Sequence, residues 1–380
     1  MNTGNGFVSL QFEKLTKDQE EERLQNYLDV ISTRMTPSAF LPIPVSDEVI
    51  EKVIQAAGTA PSGANQQPWT YTIVQQESVR KEVKQLYQEA SIKQADLLHS
   101  SPKLVIVSKQ KYGIQGNDRI KHYYPNESTA ISAGFFVAAL LHAGLNFLAF
   151  PPLKKLKQLI DLPKNEEAFL VFAVGNSGET YTENSLHKAE SYYNLIKKRR
   201  NVRDFSSQTI DEKLLLMALQ SMENNLLSND SPYHFHLISD PLLKQKIREK
   251  AEEEEKTFYE ERITEEWRGV LAPLGTNWQK PHLTDAPYLI VAFKVESEKK
   301  GTFDAVSSAG VATGVLLSAL HHAGLATLTH TPSPMTFLRE VLDRPKKETP
   351  IVVMPVGYPT DNCLVPNITK KPLQEILKNL

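Results

Sequence analysis

The sequence contains one pattern twice, and that repetition limits the folds open to it more than any single motif does. Ser132-Ala-Gly-Phe-Phe-Val-Ala-Ala-Leu-Leu-His-Ala-Gly-Leu145 returns as Thr313-Gly-Val-Leu-Leu-Ser-Ala-Leu-His-His-Ala-Gly-Leu325, setting Gly134 on Gly314, His142 on His322 and Gly144 on Gly324. Both stretches read as buried helices, apolar on most faces and ended by a glycine cap. Asp161-Leu-Pro163 and Asp343-Arg-Pro345 each precede a strand ending in Val-Gly, at Gly175 and Gly357. Ser46-Asp-Glu48 and Ile210-Asp-Glu212 each open a helix with acidic residues suited to its first turn. Strand 70–74 parallels 234–238, and 104–108 parallels 289–294. Matches in constant order indicate a tandem duplication. Each half runs helix, helix, strand, helix, strand, long buried helix, strand, so an α+β fold of two modules is expected, each a mixed sheet flanked by helices. The expected partition is a polar N-terminal tail (1–26), a first module (27–180) and a second (181–380), with the polar stretch Asn176 to Ser191 as linker.

Composition removes several function classes. A formal net charge of -2 gives no broad attraction to nucleic acid or anionic membrane. One cysteine, Cys363, cannot form an internal disulfide. The N-terminus is polar, then acidic, with no apolar stretch of signal-peptide length, and no apolar run is long enough to span a bilayer, so a cytoplasmic protein is expected. No HExxH, CxxC or P-loop occurs, and no GxGxxG follows a strand. His99, His122, His142, His321 and His322 have no carboxylate or cysteine at ligand spacing, so no metal site is expected.

Two stretches carry a family resemblance. Ala57-Gly-Thr-Ala-Pro-Ser-Gly-Ala-Asn-Gln-Gln-Pro-Trp69 resembles the loop of nitroreductase-fold flavoproteins that packs against the flavin ring. Lys198-Arg-Arg-Asn-Val-Arg-Asp-Phe205 is similar to that family's phosphate-binding segment. The likeness covers nearly the whole chain from about residue 27. Arginine forks match phosphate oxygens bidentately, and three arginines at the start of a helix would surround the dianionic end of FMN. The resemblance implies FMN as cofactor, with Arg199, Arg200, Asn201 and Arg203 at the phosphate and Pro61, Ser62, Gly63 and Asn65 along the ring.

In this family two identical subunits build flavin sites at their interface, so the duplicated chain is expected to form an intramolecular pseudo-dimer. Its halves are complementary. Aligned on Phe40 and Phe205, Arg34 stands for Arg199, while Met35 and Ser38 replace Arg200 and Arg203. The second half's counterpart of Pro61 to Asn65 is Asn225-Leu-Leu-Ser-Asn229, which lacks the Pro-Ser-Gly turn. Thr329-His-Thr-Pro332 resembles the threonine run that iodotyrosine deiodinases place near flavin N5, with His330 replacing a threonine and Thr331 as candidate donor to N5; the first half reads Ala149-Phe-Pro151. Lys370, in the C-terminal tail, stands where deiodinases have a phosphate-binding arginine. One intact site is expected.

The second half also carries an insertion, from Ala251-Glu-Glu-Glu-Glu-Lys-Thr-Phe-Tyr259 to Thr276-Asn-Trp-Gln-Lys280. In iodotyrosine deiodinases the matching segment is a lid whose glutamate, tyrosine and lysine hold the amino acid group of the substrate. Carried over, these are Glu255, Tyr259 and Lys280, and the backbone of Ala64 would meet the phenolate. The implied reaction is reductive removal of halide from a halotyrosine, with NAD(P)H or a reductase as electron source. The lid could cover the intact site or the decayed one. A broad nitro- or quinone reductase, or a flavin- or ligand-binding protein without turnover, would use the same FMN site.

Overall fold

A computed structural model describes residues 6–177, 184–223, 226–227, 232–296, 303–332 and 334–380. In chain order its strands are β1 (Phe7–Ser9), β2 (Trp69–Ile73), β3 (Lys103–Gln110), β4 (Tyr112–Gln115), β5 (Asp118–Lys121), β6 (Asn146–Phe150), β7 (Glu166–Gly175), β8 (Tyr233–Ile238), β9 (Tyr288–Val295), β10 (Ala326–Thr327), β11 (Glu348–Gly357), β12 (Leu364–Pro366) and β13 (Leu377–Asn379). The duplication is plain in the sheets: β13-β2-β3-β7-β6 in the first and β10-β11-β9-β8 in the second. Even the irregularities repeat. A register shift passes over Phe169 in β7, and an equivalent one passes over Ile351 in β11. Asp161 and Asp343 both take left-handed backbone, at φ 47° and 49°. The Arg80 guanidinium collects the carbonyls of His99 and Ser101, and the Lys244 ammonium collects those of Thr284, Ala286 and Pro287 at the matching turn. β6 and β10 directly follow the glycine caps; at five and two residues they carry too little periodicity to be read from sequence.

The helices Pro125–His142 and Ala305–His322 lie between the sheets and are buried along most of their length. They cross where Gly134 meets Gly314. A Cβ on Gly134 would stand 2.8 Å from Gly314 Cα, and one on Gly314 would stand 2.9 Å from Gly134 Cα. Both φ values are ordinary for a helix, so what these glycines provide is closeness of one backbone to the other. Near the C-terminal ends of these helices four rings, Tyr27, His142, Tyr192 and His322, pack at centroid separations such as 4.6 Å for Tyr27–His322 and His142–Tyr192. Each histidine bonds through Nδ1 to the carbonyl four residues back, Ala138 at 2.9 Å and Ser318 at 2.7 Å. Burial holds both imidazoles neutral, His142 down to about 4.

The chain's ends cross between modules. Residues 6–26, expected as a polar tail, carry β1 and the start of the helix Lys17–Ser32, capped by Thr16 with Gln19 closing a capping box. Its acidic first turns conceal an apolar stripe that begins at Leu24 and continues through Tyr27 and Ile31. The expected linker is likewise helical from Ser185, on a stripe of Ala189, Tyr192 and Ile196; its residues 178–183 lie outside the described residues. β1 pairs antiparallel with β12 of the second module, and β13, at the other end of the chain, adds in parallel to β2 of the first.

Two expectations follow. Gly134→Ala or Gly314→Ala forces the crossing helices apart and lowers unfolding free energy by about 1–3 kcal/mol in a denaturant titration. The unfolded chain protonates His142 and His322 near the ordinary 6.5, the folded chain only far lower, so stability is flat above pH 6.5 and falls as pH drops from there toward 4. Each histidine contributes a slope of up to about 1.4 kcal/mol per pH unit; denaturation midpoints at pH 7.5, 6 and 5 would reveal it.

Candidate active site

A cavity of about 330 Å³ opens between the modules, and every candidate residue named from sequence lines it. The first module gives Pro61, Ser62, Gly63, Ala64 and Asn65; the second gives Arg199, Arg200, Asn201, Arg203, Thr329, His330, Thr331 and Lys370; the insertion gives Glu255, Tyr259 and Lys280. The insertion therefore closes over the crevice shared by Gly63 and Arg199.

The loop wall is held in an unfavourable backbone shape. Ala64, Asn65 and Gln67 all have positive φ, at 48°, 56° and 49°, each a conformation that costs L-residues about 1–2 kcal/mol. The surroundings over-determine it. Gly63 N–H donates to Ser128 Oγ at 3.1 Å, Gln67 N–H to Ser62 Oγ at 2.9 Å, and Tyr123 N–H to Gln66 Oε1 at 2.8 Å. The C-terminal arm braces it too: Asn65 Nδ2 donates to Thr369 O at 3.1 Å and Lys371 N–H to Gln67 Oε1 at 2.8 Å. A Cβ at Gly63 would collide with the Tyr123 carbonyl, so this position requires glycine.

The basic segment was expected to open a helix. It instead follows the end of the helix Ser185–Ile196 and runs irregularly, with Val202 N–H donating to Thr327 O at 3.0 Å. Lysines and arginines suit this place because the carboxyl end of a helix is its negative end. Arg199 is buried; its Nη1 reaches Asn201 Oδ1 at 3.3 Å, while its Nε has no partner. Burial, aided by Arg200, lowers the guanidinium to about 10. Lys370 donates to Ala60 O at 2.6 Å and is driven well down by burial and by Arg199 and Arg200. Arg203 lines the same cavity; burial lowers it, and its charge also acts on Tyr259, Lys280, His282 and His330. Among the described residues no carboxylate lies within 4.0 Å of Arg199, Arg200, Arg203 or Lys370. Converging cations without counter-charge, one with a buried unused N–H, suit a strongly anionic group.

Thr329 to Thr331 reach the cavity because β10 stops at Thr327. Asn201 holds Thr329 on both sides, accepting from its N–H and donating to its Oγ1, each at 3.4 Å. His330 pairs its backbone twice with Val353 at 2.9 Å, and its buried Nε2 has no partner. Its ring meets His282 edge-on at 5.2 Å, and burial keeps both neutral, His282 down to about 3. In the lid, Glu255 and Lys280 pair at 3.1 Å, with side chains 11% and 3% exposed. Burial pushes each toward its neutral form, and the contact opposes that in both. The Lys280 ammonium also lies 5.6 Å from the Tyr259 ring centre.

Several wall residues were not found from sequence. Tyr123 and Tyr124 precede the long first-module helix; Tyr123 stacks on Trp267 of the lid, and Tyr124 OH donates to Thr331 O at 3.4 Å. Adjacent aromatics before a proline-started helix were the available signal. Glu127, its carboxyl raised by burial, and Ile351, turned by the β11 bulge, complete the surface. At the equivalent place in the other interface the Arg34 guanidinium lies 4.1 Å over the Phe147 ring and donates to Asn146 Oδ1 at 3.3 Å. Met35 is exposed, Leu226 and Leu227 are core, and Ala149-Phe150 is buried in β6; Asn225 and Asn229 lie outside the described residues. Among the described residues no cluster is suited to a metal ion, and no helix is long and apolar enough to cross a membrane.

Residues 31–176 and 196–358 each match the Nitroreductase family model. The chain belongs to the nitroreductase family. Its relatives include the iodotyrosine deiodinase of Haliscomenobacter hydrossis, 38% identical over 218 residues, which cover 55% of this chain and 96% of that protein. Those of Hydra vulgaris (36%, covering 51% and 75%) and Homo sapiens (35%, covering 52% and 71%) are similar. A crystal structure of iodotyrosine deiodinase bound to FMN and 3-iodo-L-tyrosine aligns at a TM-score of 0.42 with 32% identity, covering 48% of this chain and 94% of that one.

The lid pair gives a direct expectation. Glu255→Leu strands a buried ammonium and loosens the lid by about 3–5 kcal/mol, while Glu255→Leu combined with Lys280→Met restores most of it. Hydrogen exchange of amides 255–280 distinguishes the two.

Proposed function

We propose that the protein is an FMN-dependent oxidoreductase that removes halide reductively from a halotyrosine-like substrate at one site between its modules. The observation that carries this is convergence: the unpaired cations Arg199, Arg200 and Lys370, the strained loop 61–65 and the lid trio face one cavity. Bound, reduced FMN would supply the two electrons that, with one proton, replace a carbon–halogen bond by a carbon–hydrogen bond and release halide, and NAD(P)H or a reductase would restore them. Arg199, Arg200 and Lys370 hold its phosphate, with Asn201 fixing both Arg199 and Thr329. Pro61, Ser62, Gly63 and Asn65 wall its ring, and Thr331 is the hydroxyl donor toward N5. Arg203, on the lid side, places positive charge near the substrate end.

The zwitterionic end of the substrate goes to the lid. Glu255 and Lys280 already neutralise each other, so a bound amino acid exchanges one internal ion pair for two, carboxylate to ammonium and ammonium to carboxylate, with Tyr259 beside them. Desolvating a free zwitterion without such partners would be prohibitive. The phenolate then lies at the Ala64 backbone. The Tyr123–Trp267 stack shuts the lid on the first module, which favours a shaped substrate over the open site of a broad nitro- or quinone reductase.

Purified protein should bind one FMN per chain by absorbance. Arg199→Leu should drop that toward zero, whereas Arg34→Leu should leave it unchanged. Dithionite-reduced enzyme should turn over 3-iodo-L-tyrosine with a kcat/KM well above that for a nitroaromatic. Two flavins per chain, or the opposite preference, would refute this reading.

A further inference from the structure

β1 is a short strand whose two faces do different things. Val8 and Leu10, with Phe12 beyond, pack on Val202, Phe205 and Val365 of the second module. Phe7, offset by one residue, points the other way. There it meets Gly275, the left-handed residue (φ 57°) that ends the lid's last helical turn; a Cβ on Gly275 would collide with the Phe7 ring. Gly275 lies between Leu274 and Thr276, both of which line the cavity.

The same residue stands opposite Pro366 in the β1–β12 pairing. Pro366 lines the cavity, its carbonyl accepts from Arg200 Nη2, and the segment after it leads to Ile368 and Lys370. Asn367 N–H donates to Gly6 O at 2.8 Å and Leu10 N–H to Cys363 O at 2.9 Å, so the strand is fastened at both ends. Phe7 is thus seated between the basic end of the cavity and the turn of the lid.

Resting on the FMN reading of the cavity, we infer that Phe7 is a positioning residue that couples closure of the lid to the grip on the cofactor's phosphate. Its ring supports Gly275 from outside, and its backbone pairing holds Pro366 where Arg200 needs it. The N-terminal strand, outside both family-matched segments, is then a working part of the site. Cofactor seated at the basic end stiffens β12, stiff β12 holds Phe7, and Phe7 holds the lid turn.

The test uses the full chain carrying Phe7→Ala, with Phe7→Leu to retain apolar bulk. Phe7→Ala should raise the Kd for FMN and the KM for 3-iodo-L-tyrosine by roughly five- to tenfold each, with kcat little changed, as loss of a half-buried aromatic contact predicts. In the wild type, FMN should slow hydrogen exchange of amides 271–277; in Phe7→Ala that slowing should be lost, and Phe7→Leu should recover most of it. A Phe7→Ala protein that matches wild type in these readouts, that loses only thermal stability, or that is impaired at one end of the cavity alone overturns the coupling. A wild type that binds no FMN sinks the cofactor reading and this inference together. A wild type that binds FMN and 3-iodo-L-tyrosine, with Phe7→Ala indistinguishable from it, sinks this inference alone.

Discussion

Backbone-to-backbone contact at Gly134 and Gly314 is the constraint on which the rest of the molecule depends. Two helices whose interface carries larger residues pack with their axes about 8–10 Å apart. Here nothing but Cα hydrogens separates them at the crossing, and the contact zone extends to Gly310 against Ala130. That closeness draws the N-terminal ends of the helices, with Tyr123, Tyr124, Glu127 and Ser128 before and upon the first, up to residues of the other module. A wider crossing would part the loop 61–65 from Arg199, and the cavity walls would no longer belong to one site.

Joining two copies in one chain removes the need for each to do everything. Arg199 and Arg34 show the consequence. Each follows a helix bearing the ring-cluster tyrosine seven residues earlier, Tyr192 or Tyr27. Arg199 lines the cavity, whereas Arg34 lies over the Phe147 ring; each keeps a buried Nε–H without a partner. The strands after the long helices diverge in the same sense. β6 continues through Phe150 and buries its side chains; β10 ends after two residues and frees Thr329, His330 and Thr331. The cavity lies at one interface, while Leu226, Leu227 and Phe150 at corresponding places of the other are core.

Much of this was legible in the sequence for a physical reason. The long helices are buried on every side, so their apolar runs carry no competing surface signal, and their glycines mark the crossing and the caps. The motif at 57–69 was legible because left-handed backbone and close approach restrict which residues fit. Elements with one solvent face were harder. The helices at Lys17 and Ser185 looked like tail and linker because their acidic and polar residues outnumber the few that bury, such as Leu24 and Ala189. β1, β12 and β13 are three residues each and exist only because distant segments meet them, which no local pattern can announce. Arg199, Arg200 and Arg203, grouped by spacing, do line one cavity, but from an irregular segment after a helix and not from a helix start.

Desolvated charge sets the energetics of the basic end. Burial lowers Arg199, Arg200 and Lys370; Arg200 lowers Arg199 further, both arginines lower Lys370, and their hydrogen bonds go to carbonyls and to Asn201. Neutral acceptors offset part of the desolvation penalty but leave the mutual repulsion in place. A dianion bound among them would add attraction to each cation that outweighs their mutual repulsion, and its binding would stabilise the fold. The two chain ends that cross between modules, β1 onto β12 and β13 onto β2, close around the segment bearing Lys370. Repulsion within the basic end is thus contained by strand pairing at its edges, and the arms that look peripheral in the sequence help to keep those cations together.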